Sequence, residues 1–263
     1  MRILLAFILI QISLPTGIAN GDGRWVVQEK RDSVEFYSEF AVNLPEVWRH
    51  LQDVRDELDR ELGVQPVDAS TQIILFSSRS RFLQYLSAKI PEARSRKAIF
   101  YRNDDVFQIY AYRSNALITD LRHEYTHAIL HQHLPFLPLW LDEGLAEYME
   151  EPASQRDKSA RLSAVKWKSR VGWSPSLSEL EAIPSAPAMT EDDYRDSWAW
   201  VTFLLTDSEN TQNLLKEHLD VIARGGAPPA FSHVLGQNDP SAQNRINSYF
   251  RRFRFSLLSN RDR

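Results

Sequence analysis

The amino-acid sequence predicts an α+β fold, in which a small N-terminal mixed sheet with helices packs on one central helix and a mainly helical C-terminal lobe follows. Short alternating or β-branched apolar runs are confined to the first 112 residues, where amphipathic segments separate them. After that point, apolar residues recur only at helical spacing. Strands that cluster in one half of a chain are typical of α+β proteins. The 263 residues contain no internal repeat and suit one domain with two lobes.

The first half of the chain contains all the predicted strands. Thr71–Phe76 is a compact β-branched run that predicts a buried strand. Pro45 and Gly63 mark the start and end of an amphipathic helix. In order, the predicted elements are one or two strands over 25–40, a helix over 45–62, a strand over 71–76, a helix capped by Ser78 or Ser80 and running to 86, and a hairpin of 98–101 with 106–112.

The second half predicts helices only. The central helix begins at Ser114 or Asn115 and ends at His133, because Pro135 stops it. Thr190, with an acidic residue three positions later, predicts the capped start of another helix. The helices predicted after the central one cover 139–149, 190–205, 210–223 and 241–258, while 151–174 is either a mobile flap or a solvated helix and 183–189 is a loop.

The N-terminus has the pattern of a signal peptide over residues 1–19. Arg2 precedes an unbroken apolar run over 3–10, and small residues at 17 and 19 occupy the positions that a signal peptidase reads. The run is too short to span a membrane as a helix. We therefore expect an exported protein, periplasmic or secreted, with a mature chain over 20–263, lobes over 24–133 and 134–263, and no stable membrane span. An uncleaved anchor is the alternative.

Composition narrows the class of protein further. The chain has no cysteine, so neither disulfides nor a lipid-modified cysteine is expected. Its 31 basic and 35 acidic residues give a net charge of -4, which provides no basic surface for nucleic acid.

The segment from His123 to His127 reads His-Glu-Tyr-Thr-His and lies on the central helix. Residues four apart are stacked one turn above the other, so both imidazoles can reach one metal ion. Glu124 is about 100° further round the helix, where it can reach a water bound to that metal. Glu143 follows on the next helix in an apolar context, where an unpaired carboxylate would be costly to bury. Two imidazoles, one carboxylate and an open fourth position indicate a catalytic Zn²⁺ site. The alternative is a surface helix with incidental histidines.

The motif residues on these two helices resemble those of a known protein family. His-Glu-x-x-His followed by Trp-Leu-x-Glu-Gly-x-Ala-x-Tyr resembles the gluzincin zinc metallopeptidases, and most closely their peptidase-MA-like members. The similarity is specific over 121–150 and looser over 36–205. It implies that His123, His127 and Glu143 bind zinc and that Glu124 is the general base of a hydrolase.

The resemblance also implies two supporting residues. Glu147 stands where gluzincins often hold an acidic partner of a zinc-bound histidine, although many of them carry Asp there. Tyr194, in Tyr-x-x-Ser-Trp, stands where these proteins place a group that stabilises the oxyanion. The alternatives are a solvated Glu147 and a Tyr194 that packs beside Trp198 and Val201. His131 could face the site, but His131 and His133 both lie near the end of the central helix and are expected to be exposed, or to be favourable beside its C-terminus.

A peptide or protein is the expected substrate. In zinc peptidases of this type an edge strand pairs with the extended substrate, and the strand over 106–112 is the candidate because it directly precedes the central helix. No Gly-x-Met-Glu-Asn segment precedes the motif, which favours an endopeptidase. Two other interpretations stay open: a catalytically silent zinc-bearing binding or assembly factor of the cell envelope, and a zinc hydrolase of a non-peptide amide.

Overall fold

A five-stranded mixed sheet forms the N-terminal part of the computed structural model, which describes residues 24–254 apart from positions 66, 68, 88, 89, 95, 104 and 105. The sheet order is β1-β2-β3-β5-β4. The central pairs β2/β3 and β3/β5 are parallel, and the outer pairs β1/β2 and β5/β4 are antiparallel. The strands are β1 Val27–Arg31, β2 Val34–Ser38, β3 Thr71–Phe76, β4 Ala98–Asn103 and β5 Val106–Tyr112. This mixed sheet confirms the predicted fold class.

Helices make up most of the chain after the sheet. They are α1 Leu44–Leu62, α2 Arg79–Leu86, α3 Leu117–His133, α4 Leu139–Met149, α5 Ala160–Arg170, α6 Leu177–Glu181, α7 Glu191–Thr206, α8 Glu209–Ala223, α9 Phe231–Asn238 and α10 Ala242–Arg252. Gly63 ends α1 in the left-handed region at φ 70°, and Thr190 with Asp193 forms the capping box of α7, as the sequence predicts. The predicted signal peptide and residues 255–258 of the last predicted helix lie outside the described residues.

Several predictions about the second half need correction. Of the two alternatives for residues 151–174, the structure has a helix, α5, and this helix is only partly solvated because it buries Leu162 and Val165. The helices α6 and α9 were not predicted, since both are too short to show a clear period. The loop over 183–189 contains a short 3-10 turn, Ala186–Ala188.

The sheet has an apolar layer on each face. Alternate residues of β2, β3 and β5, such as Phe36, Ile73 and Ile109, pack with α1 and α3 in the main core, which continues through α4 and α7. The intervening residues, such as Ile74 and Tyr110, pack under α2 in a smaller cluster. The central helix α3 is therefore enclosed by the sheet on one side and by later helices on the other.

The sheet order also corrects the expectation about the edge strand. Within the described sheet, β5 pairs on both sides, with β3 and with β4, so 106–112 cannot add a substrate strand. The edge beside α3 is β4, which pairs only with β5. A sequence cannot reveal this, because the next strand along the chain need not be the outermost one.

A fully buried arginine, Arg122, fixes the start of the motif. Its guanidinium donates to the main-chain oxygens of Met149 and His50 at 2.7 and 3.2 Å, and to the Glu57 carboxylate at 3.2 Å. Arg156 pairs with the second oxygen of Glu57. A buried charge needs such partners to be tolerable. The network ties α3 to α1 and to the end of α4, and so holds the residue next to His123 in place.

The close packing of α4 on α7 gives a stability prediction at Gly144. A Cβ there would lie 2.7 Å from the Ser197 carbonyl oxygen and 2.8 Å from Val201 Cγ2, so the helices would have to separate. We expect Gly144→Ala to lower the free energy of unfolding by about 1–3 kcal/mol, which denaturant titration measures. Gly236→Ala on α9 is the control: nothing lies within 4 Å of its Cβ, and alanine favours a helix by about 0.5–1 kcal/mol. Equal effects of the two substitutions would contradict the packing argument.

Over the described part of the chain, no helix is both long enough and apolar enough to cross a membrane.

Candidate metal centre

The two motif histidines of α3 point their Nε2 atoms at the same place. His123 Nε2 and His127 Nε2 are 3.2 Å apart, and the ring centres are 4.9 Å apart. Both side chains are largely buried, with 12% and 9% of their surface exposed. The spacing of four residues on one helix thus brings both imidazoles to one point.

Glu143 on α4 completes a triangle of donor atoms. Its Oε2 lies 3.6 Å from His123 Nε2 and 3.8 Å from His127 Nε2. This oxygen is buried and accepts no hydrogen bond from any described residue. A buried carboxylate oxygen without a donor is costly unless a cation balances it.

Carboxylates on the far side of the rings orient both histidines. Asp142 Oδ1 lies 2.7 Å from His127 Nδ1, and Glu150 Oε1 lies 3.0 Å from His123 Nδ1. A carboxylate can only accept, so each Nδ1 carries the proton and each Nε2 presents its lone pair to the triangle. Two lone pairs and one carboxylate oxygen therefore converge where only a cation can satisfy all three.

The pKa shifts of the three residues show that their surroundings favour positive charge at this point. Burial lowers the pKa of His123, but the neighbouring carboxylates of Glu143 and Glu150 outweigh burial and raise it well above its usual value. Burial likewise opposes the charge of His127, and Asp142 raises its pKa overall. The pKa of Glu143 is lowered, because the histidines outweigh the effect of burial. The pocket favours positive charge, and this group of buried residues could hold a metal ion.

Glu124 lies beside the triangle but outside it. Its Oε2 accepts the main-chain N–H of Phe100 on β4 at 2.6 Å, which fixes the carboxylate against the edge strand. Glu124, His123, His127 and Glu143 line one cavity of about 250 Å³. The carboxylate therefore faces the same space as the donor atoms, as the motif predicts.

The structure gives Glu147 a different position from the predicted one. Its carboxylate pairs with Arg161 of α5, and His123 Nδ1 donates its hydrogen bond to Glu150 instead. Glu150 lies about one turn after Glu147, directly at the end of α4, and from there its side chain reaches back to His123 Nδ1. Burial and the neighbouring Glu150 raise the pKa of Glu147 to about 7.

This difference gives a test of the two glutamates. We expect Glu150→Gln to weaken metal binding by about 10–100-fold, since it replaces the charged acceptor that orients His123 by a weaker, neutral one. Glu147→Gln is the matched control and should have a smaller effect, because Glu147 faces Arg161. Competition with a chromophoric chelator measures both affinities. A larger loss for Glu147→Gln would restore the assignment made from the sequence.

Tyr194 lies in the first turn of α7, and its hydroxyl faces the site. The hydroxyl oxygen is 3.4 Å from Arg96 Nη2. Tyr194 and Arg96 border a wider cleft together with His123 and Glu124. Burial and the charge of Glu143 raise the pKa of Tyr194, which keeps the hydroxyl protonated. The tyrosine is thus close enough to act on a molecule in the cleft.

Sequence reasoning missed several residues around the site. His131 was expected to be exposed, but its Nε2 lies 2.8 Å from Asp142 Oδ2 and its ring stacks on Phe100 at 5.7 Å. Asp142 was not singled out, although it shares the apolar helix of Glu143 and the same burial argument applies to it. Glu150 and Arg96 carried no signal in the sequence, because only the fold brings them to the site.

A scan against protein-family models finds no match for this chain, and a comparison with curated proteins finds no similar sequence. The resemblance to the gluzincins therefore stays a prediction from the residues that carry it.

Proposed function

We propose that this protein is an exported zinc metallopeptidase, in which His123, His127 and Glu143 hold the metal and Glu124 is the general base. The triangle of Nε2, Nε2 and Oε2 atoms carries the proposal. Its sides of 3.2, 3.6 and 3.8 Å have a common centre about 2.1 Å from each corner, which is the usual length of Zn–N and Zn–O bonds.

The donor set suits zinc better than other common divalent ions. Mg²⁺ and Ca²⁺ prefer oxygen ligands, whereas two imidazoles and one carboxylate are typical of catalytic zinc. Three protein ligands also leave a position for water or substrate, which a structural site would close with a fourth side chain. A zinc ion held there would acidify a bound water to a pKa of about 7 and polarise a carbonyl group.

The residues around the donor atoms would transfer protons, stabilise the oxyanion and orient the histidines. Glu124 uses Oε2 to accept the Phe100 N–H, which leaves Oε1 to take a proton from the attacking water and pass it to the leaving amine. The Tyr194 hydroxyl stays protonated and can donate to the oxygen on which negative charge develops. Asp142 and Glu150 keep both histidines in the tautomer that binds a metal.

The edge strand β4 supports a peptide as the substrate. The Phe100 N–H points away from β5, since it bonds to Glu124. Main-chain groups of an antiparallel strand alternate in direction, so Ala98 and Arg102 also face outward at this edge. Ala98 lines the cavity beside the metal-binding residues. An extended peptide could pair with the outward main-chain groups of Ala98 and Arg102 on either side of Phe100 and place its carbonyl group near the site, whereas a small amide would not use them.

Export follows from the predicted signal peptide over 1–19. Export is tested by expressing the full chain in a bacterial host, fractionating the cells and measuring the mass of the N-terminus. We expect a mature chain that starts close to residue 20 and lies outside the cytoplasm. Full-length protein retained in the membrane fraction would favour an uncleaved anchor.

Digestion of a broad peptide library by the zinc-loaded mature protein tests the activity itself. We expect cleavage that a zinc chelator abolishes. Bound zinc without cleavage of any peptide would favour the binding or assembly factor, and cleavage restricted to non-peptide amides would favour the other hydrolase.

A further inference from the structure

Arg96 is a cation in the wall of the site that the proposed mechanism does not use. It lies between the 3-10 turn Pro91–Arg94 and β4, and its side chain is partly buried. It lines both the cavity around the donor atoms and the wider cleft that reaches Tyr194.

The other cations of the cleft are either paired or exposed. Arg161 pairs with Glu147 and Glu150. Arg195 pairs with Asp192 and Asp196. Lys97 is exposed to solvent.

Arg96 differs from these, because no described carboxylate lies within ion-pair distance of its guanidinium. One of its five N–H donors meets the Tyr194 hydroxyl, which holds the group in place, and the side chain makes no other hydrogen bond to the residues that the structure describes. A partly buried guanidinium with free donors is prepared for an anionic ligand.

The charges around Arg96 also favour an anionic ligand. Burial opposes the charge of Arg96, but Tyr194, Glu143 and Glu124 outweigh it and raise the pKa, so the guanidinium stays charged. A cation bound to Glu143 would take up much of the negative charge that now balances Arg96. With a metal ion on Glu143, the positive charge of Arg96 would therefore be balanced by less negative charge than in the metal-free protein.

We propose that Arg96 forms a subsite for a carboxylate of the substrate, beside the metal centre. The planar guanidinium can bind both oxygens of a carboxylate at once, which an amide cannot reproduce. The inference rests on the proposed peptidase function and narrows its substrate class. The carboxylate has two sources in a peptide: the C-terminus, which would make the protein a carboxypeptidase, or an Asp or Glu side chain near the cleaved bond.

Four versions of one peptide that the wild type cleaves distinguish these sources. One pair differs only in a C-terminal carboxylate or carboxamide, and the other pair, amidated at the C-terminus, differs only in Glu or Gln near the cleaved bond. We expect kcat/KM of the wild type to be about 10–100-fold higher for the acid in one pair. In Arg96→Gln that acid-to-amide ratio should fall close to 1, and in Arg96→Lys it should take an intermediate value.

Arg195→Gln is the control, because Arg195 lines the same cleft with its charge already paired. It should keep the wild-type ratio. Calorimetric binding of the four peptides to zinc-loaded Glu124→Gln protein, with and without Arg96→Gln, should show the same preference without any turnover.

Two results would overturn the inference and leave the peptidase function intact. They are cleavage by the wild type without any preference for an acid, and a preference that survives in Arg96→Gln. An equal loss on acid and amide in Arg96→Gln would likewise overturn it, since that pattern indicates a role at the oxyanion. Failure of the wild type to cleave any peptide would instead contradict the proposed function.

Discussion

Replacement of Glu124 by Gln is expected to lower kcat/KM for peptide cleavage by about 10²–10⁴-fold, the usual contribution of a general acid–base group. Gln has nearly the same shape and can still accept the Phe100 N–H through its amide oxygen. It cannot take a proton from water. Glu124 is not one of the three donor residues, so the bound metal should be retained.

The two readouts make this prediction specific. Metal content is measured by elemental analysis and cleavage by a fluorogenic peptide, on the same preparations of wild type and Glu124→Gln. Full cleavage by the variant would refute the role of Glu124. Loss of the metal together with cleavage would instead place Glu124 among the ligands.

His123→Ala should remove both the metal and the activity. It deletes one of three donor atoms. Structural four-ligand zinc sites gain about 10–16 kcal/mol in all, or roughly 3 kcal/mol per ligand, and a loss of that size lowers the affinity by about 100-fold or more. The thermal stability that zinc adds to the wild type should also disappear, because that gain depends on binding to the folded state. Titration with zinc, followed by calorimetry and thermal unfolding, measures both effects.

A second histidine of α3 provides the control. His133 lies at the end of the same helix and belongs to none of the metal-binding groups that the described residues form. His133→Ala should therefore keep wild-type metal content and activity. Equal metal content in His123→Ala and the wild type would show that the metal lies elsewhere.

Local signals were enough to predict most of the elements and to single out His123, His127 and Glu143, which the fold brings together. Helix α4 spans Leu139–Met149 as predicted, because prolines precede it and an apolar run fills it. These three residues could be recognised from the sequence because His123 and His127 share one helix and Glu143 follows after a short turn. Spacing along one helix is a property of the sequence alone.

Besides the short helices α6 and α9, the parts that the sequence missed mostly depend on contacts between distant elements. Whether Glu147 or Glu150 meets His123 depends on the angle between α3 and α4. The edge position of β4 depends on how parallel strands order themselves across the sheet. Arg96 is 98 residues away from Tyr194 along the chain, and no local pattern joins them.

Removal and return of the metal tests the central claim most directly. The mature wild-type protein is stripped with a chelator, and zinc content and peptide cleavage are then followed together as zinc is added back. We predict that stripped protein is inactive and that cleavage returns in proportion to zinc, up to one ion per chain. Cleavage that persists in fully stripped protein would contradict the assignment of His123, His127 and Glu143 as a catalytic zinc site.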